Sequence, residues 1–320
     1  MNSQPPNRRR FLQLAAAAST AVASSACGAP IQLPAPFGRA YKIPRRALGK
    51  TGEKLSVVGF GGIVVMNETP ESAASLVKQA IDRDISYFDV APAYGNAQDR
   101  LGPALEPYRK GVFLACKTER RTKQAAQRDL TRSLELLRTD HLDLYQFHAV
   151  TRLDEVDTIL GPGGAMETFL DAREKGLIRF IGFSAHSEVA ALALLDRFKF
   201  DTMLFPVNWV CWHQGNFGPR VLAKAQQQGL GILALKALAL EMGKNVKYPK
   251  CWYKPVDTPD AAALGLRFTL SRPVTAAVSP SHAELLWWMC DAAERLKPLT
   301  QQEEAELAAA SKEHTPVFAA

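Results

Sequence analysis

Apolar strand-like segments recur along this chain, centred near Val57, Tyr87, Leu114, Leu144, Ile181, Leu204, Leu233 and Thr275, with a helix-like stretch between each pair. A chain that returns through a helix re-enters a sheet in the same direction, so such alternation specifies parallel strands. Eight units at intervals near about thirty residues fill the roughly 250 residues that a closed barrel needs. The expected fold class is therefore α/β, a (β/α)8 TIM barrel with an N-terminal hairpin and a C-terminal helix. An open doubly wound sheet is the runner-up. Gly59-Phe60-Gly61-Gly62 argues against it, because it lacks the G-x-G-x-x-G spacing of a dinucleotide-binding turn.

Local signals mark several elements. Thr69-Pro70-Glu71 and Thr258-Pro259-Asp260 put a capping hydroxyl before a proline and an acid in the first turn of a helix. Thr300 to Glu303 spells a capping box for the C-terminal helix. Ala125 to Leu137 and Glu188 to Leu195 carry apolar residues at helical spacing. Residues 43–54 read as a hairpin turning at Lys50-Thr51-Gly52. Two segments, 150–164 and roughly 240–257, read as long loops after strands, and hence on the catalytic face. The second is basic and aromatic (Lys244, Lys247, Lys250, Lys254, Trp252, Tyr253), which suits a phosphate clamp or a substrate wall as well as solvated decoration.

The N-terminus reads as a targeting segment. Arg8-Arg9-Arg10-Phe11-Leu12 precedes a short, weakly apolar run rich in alanine, too short for a membrane span. The order resembles a twin-arginine export signal and implies a periplasmic or extracytoplasmic location, or a cytoplasmic one if the signal is not used. Cys27 after Ser24-Ser25-Ala26 makes a lipid anchor the minor alternative, since Ser24 stands where an apolar residue is expected. The expected organisation is residues 1–27 as signal, 28–42 as a proline-rich linker and 43–320 as the barrel.

Composition excludes several classes. Of the formal charge of +7, three units come from Arg8, Arg9 and Arg10, leaving +4 on a chain whose basic residues alternate with acids. No nucleic-acid partner is expected. Five widely spaced cysteines without a C-x-x-C pair do not suggest zinc, and no metal is expected.

Residues at the C-terminal ends of barrel strands converge on one face. Asp89 ends the second strand and Tyr94 follows it; Lys117 ends the third and His148 the fourth. A lysine and an aspartate pointing into a barrel mouth must pair. Such a pair beside a phenol suggests acid–base chemistry, with Lys117 lowering the Tyr94 pKa and Asp89 holding Lys117 charged. Tyr94 then protonates an oxygen that gains negative charge, and His148 orients the same oxygen. Singly, each residue has a structural explanation; together at successive strand ends they point to a catalytic site. His186 lies on the same face. With His148 and Asp89 it raises a metal-dependent hydrolase as a rival, but the first strand has no histidine, and a buried, hydrogen-bonded His186 is the better reading.

These motifs resemble the aldo-keto reductases from about residue 43 to 280. The resemblance rests on Phe88-Asp89-Val90-Ala91-Pro92-Ala93-Tyr94-Gly95, on the strands ending at Lys117 and His148, and on residues 175–184, Lys-Gly-Leu-Ile-Arg-Phe-Ile-Gly-Phe-Ser. It implies an Asp-Tyr-Lys-His tetrad at Asp89, Tyr94, Lys117 and His148, a metal-free barrel, and reduction of an aldehyde or ketone, or the reverse oxidation of an alcohol, with NADP or, second, NAD. It matches Ser184 and Asn208 to nucleotide-binding positions. Further candidates are Gly61, Gly62 and Lys236, the last of which can face the diphosphate, and Ser279 and Ser281, which can reach a phosphate near a helix start. The family often places Asn where Ala185 stands, Gln near Leu204, and at Lys236 a Tyr that stacks on the nicotinamide; a lysine there occurs in one branch. Lys and Arg residues that grip a 2′-phosphate have no counterpart near Pro280 and Leu286. These departures leave a second reading: a non-catalytic nicotinamide-binding barrel that senses redox state or binds a partner. Substrate walls are sought among Met66, Trp209, Trp212, His213, Trp252 and Tyr253.

Overall fold

A computed structural model describes residues 42–320 except Asn245. The export signal, Cys27 and the linker up to residue 41 lie outside the described residues. A hairpin of β1 (Arg45–Ala47) and β2 (Lys54–Ser56) comes first, shifted two residues along the chain from the expected 43–54. Seven strands follow: β3 (Val58–Gly61), β4 (Tyr87–Asp89), β5 (Phe113–Thr118), β6 (Leu142–Val150), β7 (Ile178–Ala185), β8 (Thr202–Pro206) and β9 (Gly231–Leu235). After a second hairpin, β10 (Ala239–Met242) and β11 (Tyr253–Pro255), strand β12 (Ala276–Val278) closes the barrel between β9 and β3. Neighbouring barrel strands pair in parallel all the way round, giving the (β/α)8 architecture.

Inside the barrel, alternate residues of each strand stack in layers. Tyr87, Phe113, Leu144, Leu204, Leu233 and Ala276 pack together, and Leu48 and Leu55 of the first hairpin join them. Burial of Leu48 and Leu55, each worth about 1.5–3 kcal/mol, fixes the hairpin as a plug on the N-terminal end. The other end is left open for chemistry.

The capping signals act as the local chemistry dictates. Thr69 and Thr258 accept hydrogen bonds from the backbone of Ser72 and Ala261 at the starts of helices Pro70–Asp82 and Pro259–Leu270. Thr300 and Glu303 form a reciprocal capping box for helix Gln301–Ala310. The helices expected from periodicity run Lys123–Leu136 and Glu188–Arg197.

Both long loops prove structured. Residues 150–164 contain helix Leu153–Leu160, whose Glu155 carboxylate accepts from the Thr151 and Arg152 backbone N–H groups. An acid in the first turn outweighs the glycine-rich stretch that follows. Residues 240–257 contain the β10–β11 hairpin, and its lysines are engaged: Lys250 with Glu68 at 2.9 Å, Lys254 with Glu241 at 2.7 Å, and Lys247 with Glu284 at 3.7 Å. Three of its four lysines already have carboxylate partners, so the segment is not a free phosphate clamp. Among the described residues no helix is long and apolar enough to cross a membrane.

Candidate active site

Strand register builds the site. Asp89 of β4 lies opposite Ala115 of β5, and Lys117, two residues further on, lies opposite Gln146 of β6. The inward positions therefore climb from Asp89 through Lys117 and Gln146 to His148. Lys117 is 1% exposed and Asp89 2%, so neither charge is tolerable alone, and they form an ion pair. The Lys117 ammonium also donates to the Tyr94 hydroxyl at 3.2 Å and to the Val90 carbonyl at 3.4 Å, which uses its three N–H groups.

Two further side chains hold the aspartate. Tyr87 Oη donates to Asp89 Oδ2 at 3.2 Å, and Gln146 Nε2 donates to the same oxygen at 3.1 Å. Tyr87 stands directly below Asp89 because Gly59 on the neighbouring strand has no side chain; a Cβ there would come within 2.5 Å of the Tyr87 ring. Sequence reading missed both donors. Their only trace is polar residues at inward positions of strands whose other inward residues are apolar.

His148 is aimed by a break in β6. Phe147 pairs with Phe183, but Val150 pairs with Ala185, so β6 advances three residues while β7 advances two. The extra residue is a bulge, a device that re-aims a side chain. Ala149 takes a left-handed φ of 51°, unusual for a residue with a Cβ. Ser184 Oγ accepts from Ala149 N–H at 2.8 Å, and Arg121, paired with Glu155, donates to the His148 carbonyl at 2.7 Å. The His148 ring meets Tyr94 edge-on at 5.6 Å.

Electrostatics corrects one expectation. Burial raises the Tyr94 pKa by more than Lys117 lowers it, so the phenol sits above its ordinary value rather than below. Burial is the largest influence on Lys117 and opposes its charge, but Asp89 and Tyr94 together outweigh it, so the ammonium is held charged. Burial, followed by Lys117 and His186, pushes His148 well below the usual histidine range and keeps it neutral. His186 falls to about 3, chiefly through burial.

Asp89, Tyr94, Lys117 and His148 line one cavity of about 150 Å³. Of the residues expected at the nucleotide, Gly61, Ser184, Lys236, Ser279 and Ser281 line it too; Gly62 and Asn208 do not. Gly62 packs against Val90, where a Cβ would come within 2.7 Å. Asn208 caps the short helix Trp209–His213, its Oδ1 accepting from Cys211 N–H at 2.9 Å. A short polar side chain just before a helix is drawn to the free N–H groups there. Ser279 Oγ accepts from Gly61 N–H at 3.0 Å, and Ser281 Oγ lies 3.0 Å from Cys251 Sγ. Trp252 and Tyr253 form part of the cavity wall. Met66, Trp209, Trp212 and His213 lie off the cavity, with Trp212 and His213 packed against Phe268 instead.

Lys236 takes a left-handed φ of 62° just beyond β9. Its ammonium lies 4.8 Å from the centre of the Trp252 ring and 5.6 Å from those of Tyr253 and Phe318. Phe318 comes from the C-terminal tail, which is tied down by hydrogen bonds from Met242 N–H to Thr315 O and from Ala320 N–H to Gly215 O. The same ring stacks on His186 at 4.9 Å, so an aromatic contact stands where a hydrogen-bonded histidine was expected. Sequence reading missed Phe318, whose only signal is a large apolar side chain near the chain end. Among the described residues no three His, Cys, Asp or Glu side chains cluster to hold a metal, and Cys116, Cys211, Cys251 and Cys290 are buried free thiols.

A nicotinamide nucleotide combines anionic phosphates with a flat amide-bearing ring. The cavity suits such a ligand in two respects: one wall carries the Lys236 ammonium, and among the described residues the buried His148 Nδ1 has no hydrogen-bond partner, its nearest carboxylate oxygen being Glu119 Oε1 at 3.6 Å. A larger open groove of about 740 Å³ lies at the hairpin end, where Arg109 and Arg179 are both tied to Asp143 and Arg138 to Glu106.

Residues 57–310 match the profile of the Aldo/keto reductase family. An uncharacterized oxidoreductase of Bacillus subtilis, YqkF, is 30% identical over 159 residues, which are 44% of this chain and 48% of that protein. L-galactose dehydrogenase of Arabidopsis thaliana is 27% identical over 216 residues, 62% of this chain and 66% of that protein. The match to YqkF thus spans about half its length. The holo form of aldo-keto reductase AKR11C1 from Bacillus halodurans shares the fold, with a TM-score of 0.69 at 22% identity, covering 86% of this chain and 99% of its own.

Proposed function

The chain belongs to the aldo/keto reductase family, and from that premise we propose that it transfers hydride between a nicotinamide nucleotide and a small carbonyl compound or alcohol, with Tyr94 as the acid. NADP is the proposed nucleotide, with NAD as its substitute. The observation that carries the reading is the Lys117 ammonium, which binds the buried Asp89 carboxylate and the Tyr94 hydroxyl at once.

When bound, the nucleotide supplies the hydride; the side chains govern the proton. Tyr94 is held in its protonated form by burial, as a donor requires. Once the proton leaves, Lys117 at 3.2 Å stabilises the phenolate, and Asp89 keeps Lys117 charged. His148, neutral at physiological pH, offers a hydrogen bond that orients the carbonyl oxygen. Gly61, Ser184, Lys236, Ser279 and Ser281 are the proposed nucleotide contacts. Gly62 packs against Val90 and Asn208 caps a helix, so neither belongs to the proposed set of contacts.

The test is consumption of NADPH and NADH across a panel of aldehydes, comparing the full chain with Tyr94→Phe. The variant is expected to lose about 10²–10⁴-fold in turnover while still binding nucleotide. Wild-type turnover by Tyr94→Phe would refute the role of Tyr94. Nucleotide binding without turnover in either protein would favour a non-catalytic redox-sensing barrel.

The proposal extends to export: Arg8 and Arg9 direct the folded chain through a twin-arginine route, and it carries its nucleotide with it. Fractionation of cells expressing the full chain should find wild type in the periplasm and an Arg8→Lys/Arg9→Lys variant in the cytoplasm. An unchanged distribution refutes the signal.

A further inference from the structure

Among the described residues, the cavity carries one charge that no carboxylate balances. Asp89 neutralises Lys117, and Glu68 takes Lys250. His148 and His186 are neutral through burial. Among the described residues, the charged or titratable groups that face Lys236 are Cys211, Cys251, Tyr253, Lys117, His148 and His186, with no carboxylate among them. Both thiols are pushed up by burial and stay protonated. The rings of Trp252, Tyr253 and Phe318 surround the ammonium, and aromatic faces attract a cation without cancelling its charge.

The position of this charge matters because the cavity is small. A volume of about 150 Å³ is small beside the roughly 300–1,000 Å³ of typical ligand clefts. Hydride delivery requires reacting atoms within about 3–3.5 Å of each other, so a nicotinamide ring serving a carbonyl at Tyr94 shares that space with Lys236. The ring is neutral when reduced and carries a positive charge when oxidised.

We propose that Lys236 makes the site discriminate between the two redox states of the nucleotide, its caged ammonium opposing the positive charge of the oxidised ring. The inference rests on the nicotinamide-dependent reading above. In the overall reaction a carbonyl, the reduced nucleotide and one proton become an alcohol and the oxidised nucleotide. The proton comes from Tyr94, which is reprotonated from solvent, and the new positive charge appears on the ring beside Lys236. That charge favours the reduced form in the site and speeds release of the oxidised one. Both forms carry the same phosphates, so any attraction of Lys236 for a phosphate cancels in the ratio of their affinities. At an effective dielectric constant of about 20, two unit charges about 7 Å apart repel enough for a difference of more than tenfold. Burial lowers the Lys236 pKa to about 8, so the discrimination is full below that pH and fades above it as the ammonium loses its proton.

The test is direct titration of the full chain with NADPH and with NADP⁺, at pH 6.5 and 9, for wild type, Lys236→Met and Lys236→Arg. Wild type should bind NADPH at least about tenfold more tightly at pH 6.5, about 1.4 kcal/mol, with a smaller ratio at pH 9. Lys236→Met should lose most of this preference, through tighter NADP⁺ binding, at both pH values. Lys236→Arg should keep the preference and lose its pH dependence, and it serves as the control if the methionine variant fails to fold. Equal weakening of both forms in Lys236→Met would mean that the residue grips a phosphate, and would overturn the proposal. A wild-type ratio near one would overturn it too, whereas a wild type that binds neither form would overturn the nicotinamide-dependent function itself.

Discussion

Lys117→Met leaves the Asp89 carboxylate buried without its cation. The two side chains are 1% and 3% exposed, so water cannot replace what is lost. Removing one partner of a buried ion pair costs about 3–5 kcal/mol. The lower end applies here, because Tyr87 at 3.2 Å and Gln146 at 3.1 Å continue to donate to the carboxylate. Hydrogen bonds to a charged group contribute about 1.5–3 kcal/mol each, so the stranded charge is only partly compensated. Urea unfolding of Lys117→Met, Asp89→Asn and the double variant measures the coupling. We expect Lys117→Met to lose about 3 kcal/mol, and the double variant to lose clearly less than the sum of the single variants. A loss within about 0.5 kcal/mol of wild type, or strict additivity, would refute the claim that this pair is dry and mutually dependent.

Three smaller predictions follow from the surroundings of the pair. Tyr87→Phe keeps the packed ring beside Gly59 but removes one donor to Asp89; it should lower stability by about 1.5–3 kcal/mol in the same urea assay. Ala149→Val puts a β-branched residue at a left-handed φ and should cost about 1–3 kcal/mol and reduce turnover by displacing His148, whereas Ala149→Gly stays near wild type in both. His148 is depressed well below the usual histidine range, so the unfolded chain takes up a proton near about pH 6.5 that the folded chain refuses. Its contribution is present above that pH and is lost as pH falls toward the folded value, by up to about 1.4 kcal/mol per unit; unfolding of His148→Asn from pH 7 to 5 should show a shallower decline, and an identical slope would contradict the assignment.

Barrel strands are covered on both faces, so they appear in the sequence as apolar runs, and this made their order legible. Even Val57 and Thr275, taken as strand centres, fall one residue before the strands they mark. The tetrad was legible because strand ends are shared landmarks of the fold. Partners supplied by other strands were not. Nothing local to Tyr87 or Gln146 says that both meet Asp89, since that depends on register across three strands. The β6 bulge breaks the alternation on which strand reading relies, and no glycine announces it, because Ala149 takes the left-handed position. Asn208 read as a ligand, but its nearest free donor is the next helix. The direction of the Tyr94 shift turned on depth of burial, which spacing along the chain does not encode. Phe318 reaches the cavity wall from the far end of the chain.

The central claim is that Tyr94 is the acid, held protonated by burial, with its phenolate stabilised by Lys117. Its most direct measurement is a single-turnover experiment in which enzyme loaded with NADPH is mixed with an aldehyde, comparing wild type with Tyr94→Phe at matched nucleotide occupancy. The account predicts that the phenylalanine variant binds NADPH as wild type does but oxidises it about 10²–10⁴-fold more slowly. Equal single-turnover rates in the two proteins would contradict it.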